Sequence, residues 1–226
     1  MPEAALGAVL FDMDGTLLDS EKVWDVALDD LAEWLGGELS HGGRARMVGT
    51  PLGRSVAILH DDLGVDADAE ASGAYLLARM EELFSEPLPW RPGARELLDA
   101  VADAGVPAGL VTSTHRHLTE LALRTLGASR FGVMVCGDEV PATKPAPDSY
   151  LIAAHRLGVD PGRCAAVEDS PVGLRAALAA GCAVLVVPND VDIEPQPGIE
   201  IRTSLVGVTI ADLEALVGRR GAAVSA

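Results

Sequence analysis

Basic residues are scarce in this chain: 17 Lys and Arg stand against 34 Asp and Glu, a formal charge of −17. That balance argues against nucleic acid or an anionic membrane surface as a partner, because both require basic patches. It also repels an anionic small molecule at long range, so any phosphate site must bring its positive charge locally. Aromatic residues make up only 4%, which leaves Ala, Val and Leu to build the core. The three cysteines, Cys136, Cys164 and Cys182, are odd in number and form no Cys-x-x-Cys pair. In their apolar surroundings they read as small core residues of a reducing compartment, not as metal ligands. No apolar run approaches the roughly 20 residues of a membrane span, and a basic-then-apolar leader is missing from the N-terminus. The expectation is a cytoplasmic protein, monomer or homodimer. What remains is ordinary for a globular enzyme: 226 residues, 49% hydrophobic and 23% charged, enough for one domain or a domain with a large insert.

What is present is concentrated near the N-terminus. The apolar run Ala8-Val9-Leu10 leads into Phe11-Asp12-Met13-Asp14-Gly15-Thr16-Leu17-Leu18-Asp19-Ser20. A strand alternates its faces with period two, so Asp12 and Asp14 begin on the same side. A glycine then breaks the strand and lets the backbone near Asp14 approach whatever Asp12 holds. Two acids at an open strand end can divide covalent catalysis between nucleophile and proton carrier. An Asx-rich turn closing a strand is the plainer alternative.

After this motif the pattern is helical to about Glu86. Val23, Val26, Ala27, Leu31, Trp34 and Leu35 recur at helical spacing up to Gly36-Gly37, a second helix runs near Ser55 to Leu63, and a third from about Ala67 to Phe84. Pro87, Pro89 and Pro92 mark a linker. Beyond it, helices over Gly93–Ala104, Leu118–Leu126, Asp148–Leu157 and Pro171–Ala180 alternate with apolar runs at 108–111, 133–136, 164–167 and 183–187. Continuous apolar strands between helices predict a parallel sheet covered on both faces, and the strand before Asp12 belongs to it. The fold expected is therefore α/β: a Rossmann-like, doubly wound core from residues 1–19 and 90–226, with a helical cap, 20–89, inserted over the strand ends. Pro188 to Arg202 reads as a surface loop, and a short helix near Asp212 to Val217 as the last element before a frayed tail.

Three further clusters fall at strand ends. Thr112, Ser113 and Thr114 leave one strand into a helix, either as an anion cradle at its N-terminus or as ordinary N-caps. Lys144 lies in Ala142-Thr143-Lys144-Pro145-Ala146-Pro147-Asp148, where two prolines limit its freedom and suit it to a fixed charge. Glu168 and Asp169 stand side by side before Ser170-Pro171; they read as helix caps alone, or with Asp12 as an oxygen-rich site suited to Mg²⁺.

Taken in order, Asp12-Met13-Asp14-Gly15-Thr16, Leu110-Val111-Thr112, Lys144-Pro145 and Glu168-Asp169-Ser170 strongly resemble the haloacid dehalogenase-like superfamily, in its phosphatase branch with a helical cap. The resemblance spans Asp12 to Ser170. It implies that Asp12 is a nucleophile forming an aspartyl-phosphate and that Asp14 protonates the leaving alcohol and later activates water. It implies Mg²⁺ on Asp12, the Asp14 carbonyl and Asp169, with Glu168 supporting directly or through water. Thr112, Ser113 and Lys144 would bind phosphoryl oxygens, and Gly15-Thr16 would form a mobile turn.

Within that family, Asp19-Ser20-Glu21-Lys22-Val23-Trp24 resembles the sugar-phosphate phosphatases. The related β-phosphoglucomutases usually carry histidine where this chain has Trp24. The second acid, Asp14, argues against dehalogenation, and one cap lysine, Lys22, is all that a phosphonate hydrolase could use. Substrate choice is expected in the cap, at Ser20 and Trp24 and in the loop His41 to Arg54, which holds Arg44, Arg46, Gly49 and Arg54. The arginines either meet substrate or are solvated, and Trp24 either stacks on a sugar or packs the cap. His115 and His117 follow the threonine motif without an acid partner. The expected activity is Mg²⁺-dependent hydrolysis of a small phosphorylated metabolite, a sugar phosphate first of all. A hexose-phosphate mutase is the rival on the same scaffold, and a non-catalytic ligand sensor the rival of another class.

Overall fold

The computed structural model describes residues 6–47, 50, 52–189 and 193–224, without the side chains of 21 and 221–224. Two compact units emerge, one of Met1–Asp19 with Leu88–Ala226 and one of Ser20–Pro87.

The first unit is built on six parallel strands: β1 (Ala8–Phe11), β2 (Ala108–Val111), β3 (Val133–Val135), β4 (Cys164–Glu168), β5 (Ala183–Val186) and β6 (Ile199–Ile201). Their order in the sheet is β3-β2-β1-β4-β5-β6. The chain winds outward from β1 in one direction and then from β4 in the other, so a crevice opens beyond the carboxyl ends of β1 and β4. Open parallel sheets bind ligands at such a reversal of strand order. β1, β2, β4 and β5 are buried along their whole length, as continuous apolar strands between two helical layers must be. Helices of this unit connect β1 to β2, β2 to β3, β3 to β4 and β4 to β5, as parallel pairing demands.

Those helices take their labels after four in the second unit, which contains α1 (Glu21–Trp34), α2 (His41–Met47), α3 (Leu52–Leu63) and α4 (Ala69–Ser85). The first unit then adds α5 (Ala94–Asp103), α6 (Arg116–Leu126), α7 (Asp148–Leu157), α8 (Pro171–Ala180) and α9 (Ile210–Val224). The scarcity of aromatics shows in the core cluster that holds Tyr150, where its companions are small or aliphatic residues such as Ala8, Leu10, Val111, Val135, Ala153, Ala166, Ala177 and Val184. All three cysteines are buried and free.

The chain segments entering and leaving the helical unit are zipped together. Asp19 N–H donates to the Pro89 carbonyl at 2.8 Å, and Arg91 N–H to the Leu17 carbonyl at 2.9 Å. Leu18 and Trp90 form an antiparallel bridge between them, and Arg91 faces the Asp19 carboxylate at 3.8 Å.

Three expectations are corrected. The proposed loop Pro188 to Arg202 contains β6, which pairs with β5 through Val184–Ile199 and Val186–Ile201. Three residues among Pro, Asp and Glu are too few to show a strand's alternation. The loop His41 to Arg54 contains helix α2 and the start of α3. Gly42 and Gly43 hide α2 in the sequence, and Ser40 starts it: its Oγ accepts the Gly43 N–H at 2.9 Å while donating to Asp62 at 2.7 Å. The last helix extends from Ile210 to Val224, well beyond 212–217. Thr209 and Asp212 cap it reciprocally, with Thr209 N–H on Asp212 at 2.8 Å and Asp212 N–H on Thr209 Oγ1 at 3.3 Å.

Candidate active site

The motif residues other than Lys144 sit at or just past the ends of strands of the first unit. Asp12 follows β1, Thr112 follows β2, and Glu168 ends β4 with Asp169 next. Because β2, β1 and β4 are adjacent, four distant stretches of sequence converge on one crevice. Lys144 arrives from the loop before α7 and is almost wholly buried. Its Nζ donates to Asp12 Oδ1 at 2.7 Å, to Glu168 Oε1 at 2.7 Å and to the Val111 carbonyl at 3.0 Å. An ammonium has three donors, and all three are used.

Burial dominates the electrostatics. It pushes the Asp12 carboxyl up to about 7, against the pull of Lys144 and helped by Glu168 and Asp14. Burial opposes the charge on Lys144, yet Asp12 and Glu168 outweigh it and hold the ammonium protonated well above the ordinary lysine range. The Tyr150 phenol is likewise driven up by burial and by the negative Glu168 and Asp12, so it stays a donor. It donates a hydrogen bond to Glu168 Oε1 at 2.5 Å, with its ring 5.1 Å from Lys144 Nζ.

Asp14 takes a different environment. Its Oδ2 accepts the Thr112 hydroxyl at 3.0 Å and the Thr114 hydroxyl at 2.7 Å. Asp12, Glu168 and Asp169 each bring one carboxylate oxygen within 4.8 Å of the others, all three residues buried. The Asp14 carboxylate is outside this group. Three hard oxygen donors, with one ammonium as partial counter-charge, form a donor set that suits Mg²⁺ and disfavours softer metals.

Two glycines are required at this site. Gly15 has φ +79, and a Cβ there would lie 2.1 Å from Asp169 Oδ2. Gly173 is in the first turn of α8, where a Cβ would lie 2.0 Å from both Glu168 oxygens. An alanine in an exposed helix interior ordinarily stabilises by about 1 kcal/mol over glycine. Gly173→Ala is expected to do the reverse, lowering the melting temperature and the turnover together because the buried Glu168 must move; a calorimetric scan beside an assay checks this.

Some sequence-predicted residues join this constellation and others do not. Ser113 is exposed, and its carbonyl packs against Gly137. Neither Ser113 nor Thr114 caps α6; His115 holds that position without a side-chain bond, and Asp138 caps the helix through the Arg116 N–H at 2.9 Å. His115 and His117 are exposed, their rings edge-on at 6.4 Å. The cap of α8 is Ser170, which accepts the Gly173 N–H at 3.1 Å. The reading of the acids Glu168 and Asp169 as caps is thereby corrected; these join Asp12 in the buried carboxylate group.

In the helical unit, Ser20 is buried at the start of α1 and Trp24 is half-buried. Arg44 pairs with Asp25 at 2.5 Å and with Asp29, and Arg46 with Asp61 at 2.9 Å and Asp62 at 3.5 Å. Both arginines are thus engaged inside their own unit. Arg54 is exposed, and Gly49 lies outside the described residues.

Sequence reasoning missed Tyr150 altogether and read Thr114 only as a cap. The signal for Tyr150 was faint: an aromatic in an aromatic-poor chain, six residues after Lys144 on a helix begun by Pro147. Thr16, read as part of a mobile turn, also places its hydroxyl 3.3 Å from Asp169 Oδ1.

Residues 6–181 match the haloacid dehalogenase-like hydrolase family. The chain belongs to that family. This hydrolase is 35% identical over 175 residues, 77% of its length and 81% of the relative's, to a phosphorylated carbohydrates phosphatase of Thermotoga maritima. It is 31% identical to hexitol phosphatase B of Escherichia coli K12, over 94% of its length and 95% of the relative's. Among solved structures it resembles a point mutant of CbbY from Rhodobacter sphaeroides in complex with xylulose-(1,5)bisphosphate. That likeness has TM-score 0.79 at 28% identity and covers 92% of this hydrolase and 99% of CbbY. The Thermotoga and Escherichia relatives are named phosphatases, and this hydrolase is an enzyme of that class, acting on phosphoric monoesters. Among the described residues no helix is long and apolar enough to cross a membrane.

Proposed function

We propose that this hydrolase removes phosphate from monophosphorylated sugars or sugar alcohols through an aspartyl-phosphate on Asp12, with Mg²⁺ held by Asp12, Asp169 and the region of Glu168. The observation that carries the reading is Lys144 clamped between Asp12 and Glu168, beside an Asp14 carboxylate held by two hydroxyls. When bound, Mg²⁺ supplies positive charge that offsets the repulsion between an anionic nucleophile and an anionic ester.

The chain's own residues divide the remaining work. Lys144 neutralises charge at the reacting phosphoryl group from a fixed position, without reorganisation as the reaction proceeds. Asp12 forms the bond to phosphorus as the ester P–O bond breaks, and the Asp14 carboxyl gives its proton to the departing alcohol oxygen. Asp14, now a carboxylate, takes a proton from water as that water attacks phosphorus; the Asp12–phosphorus bond breaks and inorganic phosphate leaves. Thr112 and Thr114 aim Asp14 at both proton transfers.

The helical unit is proposed to select the substrate. Fourteen acids and five bases lie within Ser20–Pro87, and Arg44, Arg46 and Arg79 are committed to internal ion pairs. Such a surface favours a neutral, hydroxyl-rich remainder over a second phosphate or a carboxylate. The names of the Thermotoga and Escherichia relatives agree with this, and the bisphosphate in the CbbY complex makes the comparison worth testing. In a phosphate-release panel, hexose and hexitol monophosphates are expected to give kcat/KM at least about tenfold above bisphosphates and phosphoglycolate. A preference for the more highly charged esters would refute the selection rule. Phosphorus NMR on glucose 1-phosphate, with or without a bisphosphate primer, distinguishes the mutase: inorganic phosphate is expected, and accumulation of the 6-phosphate without it would establish isomerisation.

A further inference from the structure

The Glu168 carboxylate accepts four donors. Lys144 and Tyr150 occupy Oε1 at 2.7 and 2.5 Å, while the Asp169 N–H and the Ser170 hydroxyl reach Oε2 at 3.3 and 3.4 Å. A carboxylate offers about four lone-pair positions, so its hydrogen-bonding capacity is filled from within the protein. Lys144 is shared between this carboxylate and that of Asp12, and the two bonds have the same 2.7 Å length. We propose that the Tyr150 hydroxyl is a positioning residue: by taking up part of the Glu168 charge, it keeps Lys144 balanced between Glu168 and Asp12. This rests on the catalytic reading given above.

The geometry makes the hydroxyl separable from the ring. Tyr150 is fully buried in the main core cluster, and its ring packs there whether or not oxygen is present. Oε1 is the one Glu168 oxygen that Tyr150 and Lys144 both use. Without the phenol, Oε1 has Lys144 alone, and the ammonium is drawn toward Glu168 and away from Asp12. The unneutralised charge that Glu168 then presents also makes the carboxylate group of Asp12, Glu168 and Asp169 a stronger attractor for a divalent cation. The two consequences run in opposite directions: poorer catalysis and tighter metal binding.

Tyr150→Phe tests this directly, because it keeps the ring and its volume. Loss of one hydrogen bond to a charged group, partly compensated by the donors that remain, gives an expected loss in kcat on the order of tenfold. Isothermal titration of Mg²⁺ alone into the parent and Y150F proteins is expected to show binding several-fold tighter in the variant. Loss of packing would instead weaken metal binding and activity together. A Y150F protein whose kcat and Mg²⁺ affinity both stay within twofold of the parent, or whose Mg²⁺ binding weakens, overturns the proposal. The titration requires no turnover, so it decides the role of Tyr150 even if the parent fails to release phosphate from any ester. That failure would instead remove the catalytic reading.

Discussion

Asp12→Asn is expected to reduce phosphate release by at least about 10⁴-fold, since an amide cannot take the place of the attacking carboxylate. The same substitution should leave the fold intact and, without metal, make it no less stable. In the metal-free protein Asp12 ionises near 7, whereas an unfolded chain gives it up near 3.8. A raised carboxylate pKa means that the folded state binds the proton more tightly, so this group's contribution to stability declines as pH rises from about 4 to about 7 and stays unfavourable above that. Asparagine carries no such burden. At pH 8 in EDTA the D12N protein is expected to melt at or above the parent temperature, and the difference should shrink toward pH 4. Near-normal turnover, with deamidation excluded by mass spectrometry, would remove Asp12 from the chemistry; a D12N protein that melts far below the parent at pH 8 would contradict the electrostatic picture.

Lys144→Ala is expected to be damaging in both respects. It leaves Asp12 and Glu168 as buried carboxylates without their shared cation, and breaking a buried ion pair from one side costs about 3–5 kcal/mol. Turnover should fall by roughly 10³-fold or more, in line with losing a preorganised positive charge at a phosphoryl group. The two effects respond differently to conditions. Lowering the pH toward 5 protonates Asp12 and should recover part of the stability, and added Mg²⁺ at pH 8 should recover part as well, because a cation binding the folded state stabilises it. Neither should restore the rate, since the lysine's position between Asp12 and Glu168 is not reproduced. Thermal melts at two pH values, with and without Mg²⁺, alongside the assay, test the pattern; full recovery of activity by Mg²⁺ alone would show that Lys144 supplies nothing beyond charge.

The parts of this molecule that were legible in the sequence are those governed by short-range rules. Apolar runs of four or five residues between helical segments could only be strands buried on both faces, and β1 to β5 of the parallel sheet follow from them. Asp12, Asp14, Thr112, Lys144, Glu168 and Asp169 could be located because each directly follows a strand or sits in a proline-stiffened loop. What stayed hidden depended on partners distant in sequence. β6 exists through pairing with β5, and α2 through Ser40, which Asp62 anchors from 22 residues away. Arg44 and Arg46 stood out as unusual cations in an acidic chain, but their aspartates are 15 to 19 residues distant and showed no local pairing signal. Tyr150 was invisible for the same reason: its bond to Glu168 spans 18 residues, and an aromatic on an apolar helix reads as core, which it also is.

The covalent role proposed for Asp12 is tested most directly by trapping. A rapidly quenched turnover mixture treated with borohydride reduces an acyl-phosphate to an alcohol, leaving a homoserine that tandem mass spectrometry assigns to a position in the chain. The expected result is reduction at Asp12 alone, dependent on both substrate and Mg²⁺ and lost in D12N. Reduction at another acid such as Asp14, or steady turnover with no reduced residue at any quench time, would contradict a phosphoenzyme on Asp12.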